Sequence, residues 1–329
     1  MVKLLSLSIV LILFSQLMAQ SVFDKSSPLV STYSIVARDS VTGEMGVAVQ
    51  SHWFNVGAIV GWGEAGVGVV ATQSFVNPSF GLRGLEMLKQ GKSPRQVVDE
   101  LVASDEGRDF RQLAVLDASG RTASYTGSKC IYGAGNIAGN NYSVQANLML
   151  NDKVWGAMEK AFVETKAPLA ERMIAALESA QEVGGDIRGM QSASIMTWKG
   201  KSTDQPWNDK LIDLRVEDNP DPVTELKRVL KVQRAYEHMN AGDLATEKND
   251  MVLAMKEYNA AMEMFPDNLE MKYWTAVTLA NNGKVDNALP LLREVFEKDK
   301  NWLELTGRLP KSELLTVSDE DLKKILNLK

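Results

Sequence analysis

The sequence is poor in the side chains that build disulfides and histidine metal sites. In 329 residues there is one cysteine, Cys130, and there are two histidines, His52 and His238. A lone thiol forms no intrachain bridge, and two histidines are too few for a histidine-based metal site. A site made of carboxylates alone leaves no spacing signature here, and no metal or cofactor is expected. There is no excess of positive charge either. The formal net charge is −6, so the chain lacks the broad basic field that nucleic acid requires. Long apolar runs are also missing, with one exception at the N-terminus. Leu4 to Met18 is almost unbroken, yet it falls short of the ~20 residues that span a bilayer.

That exception has the order of a secretory signal: basic Lys3, the apolar run, small Ala19, then polar Gln20-Ser21. Export is expected, with cleavage after Ala19 and a periplasmic or secreted protein. No cysteine follows the run to take a lipid, and no membrane span is expected after cleavage. Residues 20–31 read as an irregular leader.

Beyond it, hydrophobic residues at 45% and charged residues at 24% are ordinary globular composition. The length suits about two domains. β-rich runs are Thr32–Ala37, Glu44–Gln50, Val56–Trp62, Val67–Gln73, Gln112–Leu116, Thr122–Tyr125, Tyr142–Leu150, Ser192–Trp198 and Leu211–Val216. Helical periodicity appears around Leu82–Leu88, after Ser93-Pro94 as N-cap and first turn, near 152–164 and 168–182. Hairpins dominate, so the sheets are expected to be antiparallel. Two facing sheets with a helical layer outside each would bury every apolar face.

The tail has a period. Ala235–Asn268 and Leu269–Trp302 align as 34-residue units with Ala254, Tyr258 and Ala261 opposite Ala288, Leu292 and Val295. Pro266 in the first is Lys300 in the second. Such a period marks stacked helix pairs of tetratricopeptide type. Two units are few for independent stability, so the tail is expected to dock on a helix at Pro222–Leu230 and on a terminal helix near Ser318–Leu326. Trp274, Tyr258 and His238 read as packing residues; a concave repeat surface that recruits a protein partner is the functional alternative.

Five stretches resemble the family called domain of unknown function 1028. They are Thr32-Tyr33-Ser34-Ile35-Val36-Ala37-Arg38-Asp39, Gly46–Phe54, Ala65–Gln73, Gly184–Ala193 and Asp213-Leu214-Arg215-Val216. The resemblance covers about residues 32–230. It implies an α+β chain with the four-layer αββα sandwich of N-terminal-nucleophile hydrolases over 32–230; the repeat period adds an all-α domain over 231–329. It also implies a mechanism in which the first residue of a strand is the nucleophile and its own α-amine the base. Thr32 occupies that position. The leader gives it an amide instead of an amine unless the Ser31–Thr32 bond is cut. As the plain alternative, Thr32 is a β-branched strand residue.

Gly184-Gly185-Asp186-Ile187-Arg188-Gly189 is expected either to present backbone N–H groups to an oxyanion, with Asp186 and Arg188 orienting substrate, or to be a helix C-cap with a salt-bridged turn. His52 is an acid/base or substrate contact, or else an exposed-loop or satisfied core histidine. Gln145 and Asn147 share a strand face, as do Thr72 and Ser74; either pair lines a cleft or forms buried hydrogen bonds. Gln191 and Ser192 open the next strand and are placed in the same cleft. Cys130 reads as a small buried hydrophobe. Two functions follow: an exported amidohydrolase acting on a small amide or peptide-like compound, or a non-catalytic envelope scaffold that recruits partners through the tail. Homo-oligomerisation is left open.

Overall fold

The computed structural model describes residues 29–328. The expected signal peptide and leader residues 20–28 lie outside them. Two compact units divide between Arg228 and Val229.

The first unit holds two antiparallel sheets. One runs β1 (Leu29–Val30), β5 (Gly68–Phe75), β6 (Arg111–Asp117), β7 (Thr122–Thr126), with β4 (Gly61–Glu64) also paired to β5. The other runs β11 (Lys210–Val216), β10 (Ser192–Trp198), β3 (Met45–Ser51), β2 (Thr32–Arg38), β9 (Tyr142–Ala146), β8 (Gly135–Gly139). The sheets face each other through β2, β3, β5, β6 and β9. Helices α1 (Ser79–Lys89) and α2 (Pro94–Ala103) cover the outer face of the first sheet. Helices α3 (Val154–Glu164) and α4 (Leu169–Glu182) cover the second.

Strand alternation divides the side chains between these layers. Val36, Val47, Val49, Val69, Ala71, Leu116, Met196 and Trp198 fill the space between the sheets. Val70, Leu113 and Val115 pack with Phe80, Val97 and Leu101 under α1 and α2. Local chemistry fixes the helix ends as the sequence suggests. Ser93 and Gln96 close a reciprocal capping box at α2, with Pro94 in the first turn.

Four strand expectations need correction. The leader, read as irregular to Ser31, already holds β1 at Leu29–Val30, made a strand by pairing with β5. Val56–Ala58 is a 3₁₀ turn capped by the Asn55 side chain, which accepts from Ala58 N at 3.1 Å; the strand starts only at Gly61. Gly57 is what permits this, since a Cβ there would stand 2.7 Å from Ser194 Cβ. The run to Leu150 stops at Ala146, and Leu148 lies at φ 60°. β8 was not expected, because Gly135-Asn136-Ile137-Ala138-Gly139 holds one β-branched residue; pairing with β9 makes it a strand.

The second unit is helical. Pro222–Leu230 is no separate helix but the start of α5 (Pro222–Glu247), which continues without a break. Then come α6 (Met251–Met264), α7 (Leu269–Asn281), α8 (Val285–Lys298), α9 (Asn301–Arg308) and α10 (Asp319–Leu326). The 34-residue period is built into the helix ends: 285 − 251, 298 − 264 and 281 − 247 all equal 34. Ala254 and Ala288, Tyr258 and Leu292, and Ala261 and Val295 are buried in matched places. Ile325 of α10 is buried with Leu292, Val295 and Phe296. His238 is half-exposed with Nδ1 2.6 Å from Glu257.

Candidate functional site

The chain changes sheets at one residue. Leu29 and Val30 pair with Phe75 and Ser74 at the edge of the first sheet. Thr32 opens β2 in the middle of the second, opposite Ser51. Ser31 alone makes the crossing, so the Ser31–Thr32 peptide lies between the sheets with both residues fully buried.

The carbonyls on both sides of that bond and the Thr32 hydroxyl are each engaged by a different part of the fold. The Ser31 carbonyl accepts from Ser51 Oγ at 2.5 Å and from Arg188 Nη2 at 2.8 Å. The Thr32 carbonyl accepts from Asn147 N at 3.0 Å and Gln73 Nε2 at 3.2 Å. Thr32 Oγ1 donates to the Val30 carbonyl at 2.8 Å. Two donors on one amide oxygen, one of them a guanidinium, favour negative charge developing there.

The Gly184–Gly189 turn puts Arg188 in place. Gly184, Gly185 and Gly189 all have positive φ, which only glycine adopts freely. Asp186, its side chain fully buried, holds the guanidinium through Nε at 3.0 Å and Nη2 at 2.7 Å. Its Oδ1 also accepts from Arg188 N at 2.9 Å. The expectation of a backbone oxyanion site here is corrected. Gly184 N and Gly185 N donate back to Gln181 and Ala180, closing α4, and Ile187 N and Gly189 N donate to Leu148 and Asp186. The turn is therefore a helix cap and salt bridge that delivers a side chain, not N–H groups, to the Ser31 carbonyl.

Around this peptide the layer between the sheets is polar. Gln145 Nε2 donates to Ser34 Oγ, and Ser34 Oγ to Gln73 Oε1, both at 2.6 Å. Gln73 Nε2 and Asn147 Nδ2 donate to Gln112 Oε1 at 2.7 and 2.9 Å. Gln112 Nε2 reaches Thr126 Oγ1 and the Ala146 carbonyl, each at 2.8 Å. A buried polar group left alone costs about 1–3 kcal/mol, which is why the network is joined end to end. Two atoms beside the peptide are exceptions: Ser31 Oγ and Asn147 Oδ1 are buried without a partner.

The structure thus gathers Thr32, Asp186, Arg188, Gln145 and Asn147. Ser192 lies one strand away, its Oγ donating to Trp53 O at 2.5 Å and accepting from Val56 N at 3.1 Å. The His52 backbone N donates to Asp186 Oδ2 at 3.4 Å, while its exposed ring lines an open cleft with Gln191, Met190, Asp218 and Pro220. Thr72 is elsewhere. It alternates with Gln73 and shares the parity of Val70, under α1 and α2, and its Oγ1 donates to Asn77 O at 3.3 Å. Ser74, at φ 71°, pairs with both Val30 and Arg111. Sequence reasoning took Thr72 and Ser74 and missed Gln73 between them, along with Ser51 and Gln112. A glutamine inside the β-rich run Val67–Gln73 was the available signal; nothing in the sequence marks Ser51.

Neither Tyr33 nor Cys130 offers a rival ionised nucleophile. Burial, then the Asp186 and Asp221 charges, pushes the Tyr33 phenol far up, and its hydroxyl donates to Gln181 Oε1 at 3.1 Å. Burial also raises the Cys130 thiol. Among the described residues no three His, Cys, Asp or Glu side chains gather as a metal site.

These features define a two-sheet α+β protein with a buried strand start, an Arg–Asp pair and a buried amide layer between its sheets. The chain belongs to the family described as "Family of unknown function (DUF1028)", whose model matches residues 32–226 and so begins on Thr32 itself. Among solved structures it is similar to the crystal structure of a DUF1028 protein from Silicibacter pomeroyi, with 29% identity over 61% of this chain and 85% of that one, at a TM-score of 0.56. No curated protein matches.

Proposed function

We propose that this chain is an exported amidohydrolase of the N-terminal-nucleophile type, periplasmic or secreted, with the αββα sandwich as its catalytic domain. Thr32 is the nucleophile and is released by self-scission of the Ser31–Thr32 bond. One observation carries the proposal: the carbonyl just before Thr32 is held by Ser51 Oγ and Arg188 Nη2. The family match beginning at Thr32 supports it. The 34-residue helical period supports a tetratricopeptide-like tail that recruits a protein partner.

Scission is an N→O acyl shift. Thr32 Oγ1 bonds to the Ser31 carbonyl carbon, the negative oxygen rests on Ser51 and Arg188, and the C–N bond breaks. The hydroxyl proton ends on the Thr32 nitrogen. Water then hydrolyses the ester, leaving a Ser31 carboxylate and a Thr32 α-amine. The same hydroxyl next attacks a substrate amide, with the neutral amine as base. The amine must be unprotonated to act, so turnover falls as pH drops through its ordinary range of about 7.7–8.0.

Intact mass and N-terminal sequencing of the exported protein test the reading. A chain that begins at Thr32, with Thr32→Ala remaining uncut, is the expected result. A mature protein that keeps Ser31 joined to Thr32 and still hydrolyses amides would overturn the free-threonine mechanism. If the bond stays intact and no amide is turned over, the scaffold reading stands instead.

A further inference from the structure

Self-scission requires the segment before the bond to lie where the acyl half of a substrate lies. In both reactions one hydroxyl, Thr32 Oγ1, attacks a carbonyl whose oxygen rests on one pair of donors, Ser51 and Arg188. Residues 29–31 are therefore a picture of an acyl-side ligand in place, and how they are held can be read directly.

They are held as a strand. Leu29 and Val30 are antiparallel to β5, opposite Phe75 and Ser74. β5 accepts them at the end of its edge that β4 leaves open, since β4 pairs only with Gly68–Ala71. The Val30 side chain is fully buried and belongs to the apolar cluster of Val49, Val56, Val60 and Val76. Ser31, the acyl residue, is fully buried too, with no hydrogen-bond partner for its hydroxyl. The site thus takes a small residue at the reacting carbonyl and a β-branched apolar residue before it, and it grips the backbone of both.

We infer that the substrates are peptides, bound as an added strand on the free end of β5, with a small residue on the acyl side of the cut bond and an apolar residue preceding it. This rests on the amidohydrolase reading above and narrows it from small amides in general to extended peptides. Backbone pairing supplies affinity and the Val30 pocket supplies selection, as in other strand-addition sites. A charged residue in that pocket would lose its hydration without gaining a partner. Hydrolysis follows the balanced route given above: the peptide C–N bond breaks, Thr32 carries the acyl group as an ester, the leaving amine takes the proton, and water releases the peptide carboxylate. The cut leader is then the first product and a competitor for the groove.

The test uses the self-cleaved full chain and three chromogenic amides: acetyl-Leu-Val-Ser-p-nitroanilide, its Val→Asp analogue and phenylacetyl-p-nitroanilide. The valine peptide is expected to exceed both others in kcat/KM by about tenfold or more. A peptide of residues 26–31 is expected to inhibit its hydrolysis competitively, and Thr32→Ala to cleave none of the three. Equal rates for the Val and Asp peptides, or preference for the phenylacetyl compound, would overturn the peptide assignment while leaving the amidohydrolase reading intact. A chain that never cuts Ser31–Thr32 removes both readings together.

Discussion

The two ends of the layer between the sheets are built from opposite materials. At one end Val36, Val47, Val49, Val69, Leu116, Met196 and Trp198 form an apolar core. At the other, on the same strands and a few residues away, Ser34, Gln73, Gln112, Gln145 and Asn147 form a buried hydrogen-bonded network around Thr32. Apolar packing tolerates adjustments of shape. An amide network is less forgiving, because each orphaned group keeps its desolvation penalty, and here only Asn147 Oδ1 and the neighbouring Ser31 Oγ go unpaired. The polar end therefore holds one peptide bond in one geometry, which is what the proposed scission at that bond would need and a core does not.

Breaking the polar end at the Ser31 carbonyl, the proposed scission point, is expected to give the largest effect. Ser51→Ala removes one of the two donors on the Ser31 carbonyl and should slow self-scission about 10²–10³-fold, the usual loss for one oxyanion donor. A time course of intact mass reads it, and unchanged scission would detach Ser51 from the chemistry. Next come two deletions that compare the ends directly. Leu116→Ala should cost about 2–5 kcal/mol in denaturant unfolding. Gln112→Leu, though larger in apolar area, should also destabilise, by about 1–3 kcal/mol, because Gln73 Nε2 and Asn147 Nδ2 lose their shared acceptor and keep only longer bonds to backbone carbonyls. A stabilised Gln112→Leu protein would mean that the network is not satisfied as described. The smallest effect sharpens the contrast. Ser194 Oγ is buried without a partner, so Ser194→Ala should not destabilise and is expected to raise stability by up to about 1 kcal/mol.

Much of the fold was legible because it is written in local periodicity. The capping box at Ser93 and Gln96, the antiparallel pairs around Asp39–Gly43 and Asp117–Gly120, and the 34-residue spacing of the tail each depend on neighbours within a few turns of chain. The site was legible only in part. Thr32, Asp186 and Arg188 were found through the resemblance, and they do converge, but the glycine-rich turn acts by a different group than its glycines suggested. Thr72 and Ser74 were chosen by counting alternate positions, without knowing which face of β5 meets the other sheet. β8 escaped because pairing with β9, not propensity, makes it a strand.

By itself the sequence determined the α+β class, the helix caps, the repeat period and the threonine at which the family match begins. Only the tertiary structure decided that Ser31 is the residue on which the chain changes sheets. It also decided that Ser51 and Arg188, 20 and 157 residues away in sequence, close on its carbonyl. The reason is physical. Helix caps and periods are fixed by short-range geometry, whereas two donors meet one buried oxygen only after both sheets and the Gly184–Gly189 turn have packed around it.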